Sequence, residues 1–169
     1  MDYAFNNAGV LEHSKPLTEK TEKEYQFVMD INVKGVFFAM KYEIPAMLKN
    51  GGGAIVNTSS VAGLVGIPQI PIYAATKHAV VGISKSVALE YAASGIRINT
   101  VNPGGIKTAM LDEFIAGSEE NEKFLKSMHP IGRIGKPEEI AEAVIWLCSP
   151  KASFMTGQAM AVDGVWTTQ

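Results

Sequence analysis

Residues 54–102 have the sequence AIVNTSSVAGLVGIPQIPIYAATKHAVVGISKSVALEYAASGIRINTVN. The apolar run at residues 54–58 predicts a buried strand, and residues 97–102 predict a second strand. Between them, residues 73–93 predict a helix that ends near Gly95. A strand, a helix and a second strand at this spacing indicate a βαβ unit, in which the two strands run parallel.

The rest of the chain extends this alternation. Residues 2–5 and 159–163 predict further strands, and residues 108–128 predict two short helices. Thr21 and Glu24 have the form of a capping box at the start of a helix that Pro45 kinks or ends, and Pro137 opens a helix that reaches about residue 147. We therefore expect an α/β fold with a parallel sheet and helices on its faces, in a single domain of residues 1–169.

Composition excludes several classes of function. The chain has 169 residues, a net charge of −2, 47% hydrophobic and 19% charged residues. Without a basic excess, neither nucleic acid nor an anionic membrane surface is an expected partner. The uncharged stretch at residues 50–76 contains too many Gly, Pro and polar residues to span a membrane. No basic segment followed by an apolar one opens the chain, so secretion is not expected. The single cysteine, Cys148, fits a reducing compartment, so we expect a cytoplasmic protein.

Metal binding is not expected. The three histidines lie far apart in the sequence, and none has a nearby cysteine or a second histidine four residues on. Cys148 lies in an apolar run, where a small core residue is the more frequent role of a cysteine.

Tyr73 and Lys77 are four residues apart, which places them one turn apart on one face of the predicted helix. An ammonium group beside a phenol favours the phenolate, so we expect Lys77 to lower the pKa of Tyr73 toward the range of general acid/base catalysis. Ser60, thirteen positions earlier, would add a hydroxyl group. The pair is short enough to arise by chance, and the structural alternative is an amphipathic helix with an exposed lysine.

Three predicted strands end in polar or glycine-containing turns, at residues 6–9, 58–63 and 102–105. The carboxyl ends of parallel strands form the ligand-binding edge of an open α/β sheet, so these turns and the start of the Tyr73 helix should line one crevice. Asn32 lies inside the preceding predicted helix, although asparagine has a low helix propensity. An asparagine in the middle of a helix is more often exposed to solvent or hydrogen-bonded to its own helix than functional.

Taken together, these residues resemble the short-chain dehydrogenase/reductase family. Five motifs occur in the family's order and spacing: N-N-A-G at residues 6–9, N-V-x-G at 32–35, S-S-x-x-G at 59–63, Y-x-x-x-K at 73–77 and P-G at 103–104. The resemblance covers essentially the whole chain. It implies that the sheet comprises the C-terminal strands of a doubly wound, Rossmann-like fold.

The resemblance also implies roles for individual residues. Tyr73 would be the general acid/base, Lys77 would lower its pKa and bind the nicotinamide ribose, and Ser60 would donate to the substrate oxygen. Asn32 would hold a water molecule that links Lys77 to solvent, whereas Ser59 is interpreted as structural. The implied catalytic residues are Asn32, Ser60, Tyr73 and Lys77, and the implied cofactor-binding residues are Asn7, Ala8, Gly9, Tyr73, Lys77, Pro103, Gly104, Ile106 and Thr108.

The implied activity is NAD(P)-dependent oxidation of an alcohol or reduction of a ketone, without a distinction between NAD and NADP. Small-molecule alcohols or ketones would be the substrates. Residues 108–128 correspond to the substrate lid of the family, where Met110, Leu111, Phe114 and Met128 either line an apolar pocket or pack as ordinary core residues. The family pairs the helices at residues 30–49 and 73–93 into dimers and tetramers, so a homodimer or homotetramer is expected.

One family motif is missing. The family opens with a T-G-x-x-x-G-x-G turn that receives the cofactor pyrophosphate, and no G-x-x-x-G-x-G occurs in these 169 residues. The chain begins at what corresponds to the fourth strand, which would expose an apolar sheet edge. The alternative hypotheses are a truncated, non-enzymatic chain that keeps its oligomerisation surfaces but binds dinucleotide weakly or not at all, and a redox-silent binder of a nucleotide or metabolite.

Overall fold

A four-stranded parallel sheet forms the centre of the computed structural model, which describes residues 1–115 and 117–168. Its strands lie in sequence order: β1 (Tyr3–Asn6), β2 (Gly53–Thr58), β3 (Ile96–Pro103) and β4 (Ala159–Val162). The central pair is in register from Gly53 opposite Ile96 to Thr58 opposite Val101. The prediction of an α/β fold with a parallel sheet is confirmed.

Helix α1 (Glu22–Met29) begins at the predicted capping box. The Thr21 hydroxyl accepts from the Glu24 amide at 3.2 Å, and the Glu24 carboxylate accepts from the Thr21 amide at 2.9 Å. A π-helical segment (Asp30–Lys34) then joins α1 to α2 (Gly35–Leu48). The prediction that Pro45 ends the helix is wrong, because α2 continues for three residues beyond it.

Helix α3 (Pro71–Tyr91) connects β2 to β3 and starts two residues earlier than predicted. Proline is well suited to this first position, because the first amide of a helix has no intrahelical acceptor. The chain reverses after α3 at Gly95, whose left-handed φ of 76° suits glycine.

Three further α-helices lie between β3 and β4. Helices α4 (Ala109–Ile115) and α5 (Glu119–Ser127) are the predicted short pair, and α6 (Pro137–Cys148) begins at the predicted proline.

Apolar side chains bury both faces of the sheet. On one face, α2 and α3 pack on the strands through a cluster that includes Met40, Ile44, Met47, Ile55, Val80 and Ile98. On the other face, α6 contributes Ile140, Val144 and Leu147, which pack on Val56 and Val101. Helices cover both faces of the sheet, so a ligand would bind at the carboxyl ends of the strands.

Strand β1 is an edge strand, and Tyr3 and Phe5 on it are 58% and 44% exposed. Within the described residues, no helix has the length and apolar character needed to cross a membrane.

Candidate active site

Helix α3 brings Tyr73 and Lys77 together in its first two turns. The Lys77 ammonium nitrogen lies 5.4 Å from the centre of the Tyr73 ring. Lys77 is only 4% exposed, and its ammonium group donates to the backbone oxygen of Thr58 at 3.0 Å. The alternative of an exposed lysine on an amphipathic helix is therefore wrong, and the amine is held against the end of β2.

Burial determines the acid/base properties of both groups. It lowers the pKa of Lys77 to about 8, because the charged ammonium loses solvation. Burial also raises the pKa of the Tyr73 phenol, and a hydrogen bond with Ser60 lowers it by a smaller amount. The expectation that Lys77 lowers the pKa of Tyr73 is thus not met in this structure: the net shift is upward, because desolvation of the phenolate dominates.

Ser60 begins a short 3₁₀ turn (Val61–Gly63) immediately after β2. Its hydroxyl oxygen accepts from the Ala62 amide at 3.1 Å, which leaves the hydroxyl proton available for donation. Its backbone oxygen accepts from the Asn102 side-chain amide at 3.1 Å, and Asn102 is in turn bonded to Thr100. Asn102 thus ties the end of β3 to the serine turn.

The turn packs closely on α3. The Ser59 hydroxyl donates to the backbone oxygen of Lys77 at 2.9 Å, in agreement with its structural interpretation. A Cβ atom at Gly63 would overlap the Ser59 hydroxyl and lie 2.7 Å from the Lys77 backbone oxygen. Only glycine allows the turn to approach α3 this closely.

Asn32 is 1% exposed and lies in the π-helical segment. Its side-chain amide accepts from the Val10 amide and donates to the Val10 oxygen, both at 2.9 Å, and it donates to the Thr76 hydroxyl at 3.1 Å. Thr76 in turn donates to the Tyr73 backbone oxygen at 2.7 Å. The asparagine therefore connects the loop after β1 to α3, while its role in holding water stays a prediction.

The turn after β1 faces the same amine. The Asn7 side chain accepts from the Thr58 hydroxyl at 2.9 Å, and the exposed Ala8 follows it. A Cβ atom at Gly9 would lie 3.3 Å from the Asn32 side-chain oxygen and 3.5 Å from the Lys77 ammonium. The predicted residues Asn7, Ala8 and Gly9 therefore border the catalytic candidates.

The turn after β3 contains Pro103, Gly104, Ile106 and Thr108. Its main contact is His129, a residue that the sequence patterns did not connect to this turn. One ring nitrogen of His129 accepts from the Gly105 amide at 2.9 Å, and the other lies 2.8 Å from the Leu125 oxygen. This pattern assigns the proton to Nδ1, so that a neutral histidine joins α5 to the turn.

Thr108 completes this turn through local bonds. Its hydroxyl donates to the Ile106 oxygen at 3.2 Å and accepts from the Leu111 amide at 3.4 Å, next to the start of α4. The turn therefore leads directly into α4 and α5, the two short helices that correspond to the substrate lid of the family.

The structure brings the four candidate catalytic residues together at the start of α3. The Lys77 ammonium lies 5.4 Å from the centre of the Tyr73 ring, Ser60 is near enough to the phenol to lower its pKa, and Asn32 reaches α3 through Thr76. The sequence did not predict the buried polar residues that support the site, such as Thr76, Thr100 and His129. Polar residues in core-facing positions have no characteristic spacing that would identify them. In the described ranges, no three His, Cys, Asp or Glu side chains group as a metal site.

Residues 1–167 match the family model described as enoyl-(acyl carrier protein) reductase. The chain belongs to the short-chain dehydrogenase/reductase family. The resemblance found from the five motifs is thereby confirmed.

Two curated members of this family are similar over almost the whole chain. The cyclohexanol dehydrogenase of Acinetobacter sp. is 51% identical over 166 residues, which cover 98% of this chain and 64% of that enzyme. The 2,5-dichloro-2,5-cyclohexadiene-1,4-diol dehydrogenase of Sphingobium indicum is 46% identical over 99% of this chain and 67% of its own length. The chain thus spans about two-thirds of these relatives.

A solved structure of a short-chain dehydrogenase/reductase, described as ElxO with NADP bound, superposes with a TM-score of 0.92 and 38% sequence identity. The match covers 99% of this chain and 68% of that one. At this identity the agreement supports both the fold and the family.

Proposed function

We propose that this chain carries the catalytic residues of an NAD(P)-dependent oxidoreductase that interconverts a secondary alcohol and a ketone by hydride transfer, with Tyr73 as general acid/base. The observation that carries the proposal is the buried Lys77 ammonium 5.4 Å from the centre of the Tyr73 ring, with Ser60 near the phenol. Three such groups together suit proton transfer at a single oxygen atom.

The site has features that fit a nicotinamide dinucleotide, which when bound would supply or accept the hydride. Within the described residues, Thr58 is the one hydrogen-bond acceptor of the Lys77 ammonium, so two N–H donors remain for ribose hydroxyls. Gly9 has no side chain to block the approach to that ammonium. Asn7, Ala8, Pro103, Gly104, Ile106 and Thr108 would line the rest of the cofactor site, and the proposal covers both NAD and NADP.

In the reduction direction, the Ser60 hydroxyl would donate to the ketone oxygen and the Tyr73 phenol would give its proton to that oxygen. The phenol is protonated at neutral pH, as a general acid must be, although its raised pKa makes it a weaker proton donor than an ordinary tyrosine. In the oxidation direction, Tyr73 would act as a phenolate, a form that a charged Lys77 ammonium 5.4 Å from the ring centre would favour.

Cyclic alcohols are the first substrates to test. The two curated relatives are named for cyclohexanol and for a chlorinated cyclohexadiene diol. Met110, Leu111 and Phe114 of α4 are apolar side chains beside the turn after β3, and they would suit an apolar ring.

A homodimer or homotetramer is also part of the proposal. Helices α2 and α3 expose large apolar side chains: Phe37, Phe38, Tyr42, Leu48 and Leu89. Burying such a surface against a second copy would stabilise the assembly.

The experiment that tests the proposal is an assay of the 169-residue chain with cyclohexanol and NAD or NADP, followed by nucleotide absorbance, with chromatographic identification of the ketone. Turnover with one of the two nucleotides is expected. Absence of turnover with a broad panel of alcohols and ketones would overturn the proposal for this chain.

One observation favours the non-enzymatic alternative: these 169 residues contain no G-x-x-x-G-x-G turn for a pyrophosphate. A fluorescence titration with NADH and NADPH separates the hypotheses. Binding in the micromolar range would exclude the alternative, and absence of binding together with absence of turnover would favour it.

A further inference from the structure

The start of α3 is capped by a carboxylate from a distant part of the chain. Ile70 at the N-cap provides no side-chain acceptor, and the first turn of α3 contains no acidic residue. Instead, Glu12 accepts from the backbone amide of Tyr73 at 2.7 Å. A helix N-terminus has unpaired amides and a partial positive charge, so a carboxylate stabilises it.

Glu12 is held in place by a buried ion pair. Its side chain is inaccessible to solvent, and its second oxygen lies 2.6 Å from the ammonium of Lys20, which is 4% exposed. Lys20 also donates to the backbone oxygen of His13. A buried carboxylate is strongly unfavourable without such a partner, so Lys20 is what allows Glu12 to occupy this position.

A second set of contacts joins the same two segments. The Lys15 amide donates to the Gln69 backbone oxygen at 3.1 Å, and the Ser14 hydroxyl donates to the Gln69 side chain at 2.7 Å. Gln69 has a φ of 69°, in the left-handed region that is unfavourable for a residue with a side chain. Strain of this kind persists only where surrounding contacts hold it, so the segment at residues 12–15 fixes the backbone that leads into α3.

We propose that Glu12, held by Lys20, is a positioning residue that fixes the first turn of α3 and thereby the phenol of Tyr73. The inference rests on the proposed function only in giving Tyr73 a catalytic role. Glu12 acts through the backbone, and its carboxylate is not assigned any contact with substrate.

Amide hydrogen exchange of the 169-residue chain, measured by NMR, tests the positioning directly. In Glu12→Ala the Tyr73 amide should exchange about tenfold faster or more, since it loses its acceptor. The amide of Ile55 in the centre of the sheet should change less than about twofold, because the effect is local. The matched control is Lys15→Met, which removes the neighbouring, more exposed ion pair with Glu24 and should leave the Tyr73 amide unchanged.

Two further variants keep the test decisive if Glu12→Ala does not fold. Glu12→Asp retains the charge opposite Lys20 but is one methylene too short to reach the Tyr73 amide, so exchange should still accelerate. Glu12→Gln with Lys20→Met keeps an acceptor and removes both charges, so exchange should return close to the wild-type rate. Equal Tyr73 exchange in the wild type, Glu12→Ala and Glu12→Asp would overturn the proposal.

A readout at the phenol separates positioning from general stabilisation. Tyrosine labelled with ¹³C at Cζ reports ionisation, and the Tyr73 signal is assigned by its loss in Tyr73→Phe. Glu12→Ala should shift the pKa of Tyr73 downward, toward the ordinary tyrosine value, because a loosened first turn admits water to the phenol. Lys15→Met should leave it unchanged; an unchanged pKa in Glu12→Ala would contradict the positioning role.

These readouts do not depend on turnover. If the chain proves inactive, the proposed function fails while the exchange and ionisation results still decide the role of Glu12. If the chain is active, Glu12→Ala should lower kcat about tenfold and change the KM for nucleotide less than about twofold. A change in KM alone would count against a role at Tyr73.

Discussion

At the scale of single residues, burial shifts the pKa values of Lys77 and Tyr73 in opposite directions. Burial lowers the pKa of Lys77 to about 8 and raises that of Tyr73. The Y-x-x-x-K spacing correctly predicts that the two side chains lie side by side. It cannot predict whether the charge of Lys77 or the loss of solvation has the larger effect on the pKa of Tyr73. Desolvation depends on the turns after β2 and β1, which pack around α3 from distant parts of the sequence.

The buried lysine makes stability depend on pH. Its pKa is about 8 in the folded chain against an ordinary value of 10.5, so between these values the unfolded chain binds more protons and the free energy of unfolding rises with pH. Relative to Lys77→Met, the wild type should gain about 2 kcal/mol of stability between about pH 7 and pH 9.5. Urea denaturation of both proteins at the two pH values measures this gain, and parallel pH dependence of the two would contradict the buried ammonium.

Asn32 should contribute to stability through its three side-chain hydrogen bonds, two with Val10 and one with Thr76. Asn32→Ala leaves the backbone amide and oxygen of Val10 without their side-chain partner, which should cost about 2–3 kcal/mol. Asn50→Ala, which removes a single exposed bond to Asp2, should change stability by less than about 0.5 kcal/mol. Equal effects of the two substitutions in urea denaturation would show that the Val10 contacts do not stabilise the fold.

At the scale of secondary structure, the fold was largely predictable from local patterns. The apolar runs, the capping box at Thr21 and the proline at Pro137 correctly predicted where strands and helices lie. The π-helical segment at Asp30–Lys34 was not apparent from residue spacing, because one continuous helical pattern runs through it, and the disfavoured Asn32 was a local sign of irregularity. The Glu12 cap was missed because it joins residues that are 61 positions apart.

The close packing of the serine turn on α3 gives a prediction at this scale. Gly63→Ala places a Cβ atom against the Ser59 hydroxyl and 2.7 Å from the Lys77 backbone oxygen. The turn must then shift away from α3, at a cost of about 1–3 kcal/mol. Thermal unfolding monitored by circular dichroism measures this cost.

Gly66→Ala is the matched control, because its Cβ atom meets no heavy atom within 4 Å and its backbone is not left-handed. Its effect should remain within about 0.5 kcal/mol. If Gly63→Ala were equally mild, the turn would be free to move and would not hold Ser60 at a fixed distance from Tyr73.

At the scale of the whole molecule, helices α2 and α3 carry exposed apolar side chains. Phe38 and Tyr42 are one turn apart on α2 and are 39% and 69% exposed. The sequence pointed to these helices as an interface through the family resemblance, and the exposed side chains support that hypothesis. Self-association itself stays a prediction.

Charge placed on this surface should therefore disrupt self-association. The variant Phe38→Glu/Tyr42→Glu should weaken dimerisation or tetramerisation about tenfold or more, because burying a carboxylate costs more than burying a ring gains. Light scattering over a concentration series measures the change. Leu17→Glu, at a 68% exposed position outside these helices, should leave the assembly unchanged, and a monomeric wild type at high concentration would refute the interface.

Tyr73 is proposed to transfer the proton in an NAD(P)-dependent alcohol and ketone reaction. The most direct test compares nucleotide-linked turnover of the wild-type chain with that of Tyr73→Phe, which removes only the phenolic hydroxyl, and of Tyr91→Phe at the other end of α3. Tyr73→Phe should reduce kcat about 10²-fold or more, with Tyr91→Phe unchanged. Equal turnover by all three proteins would contradict the account.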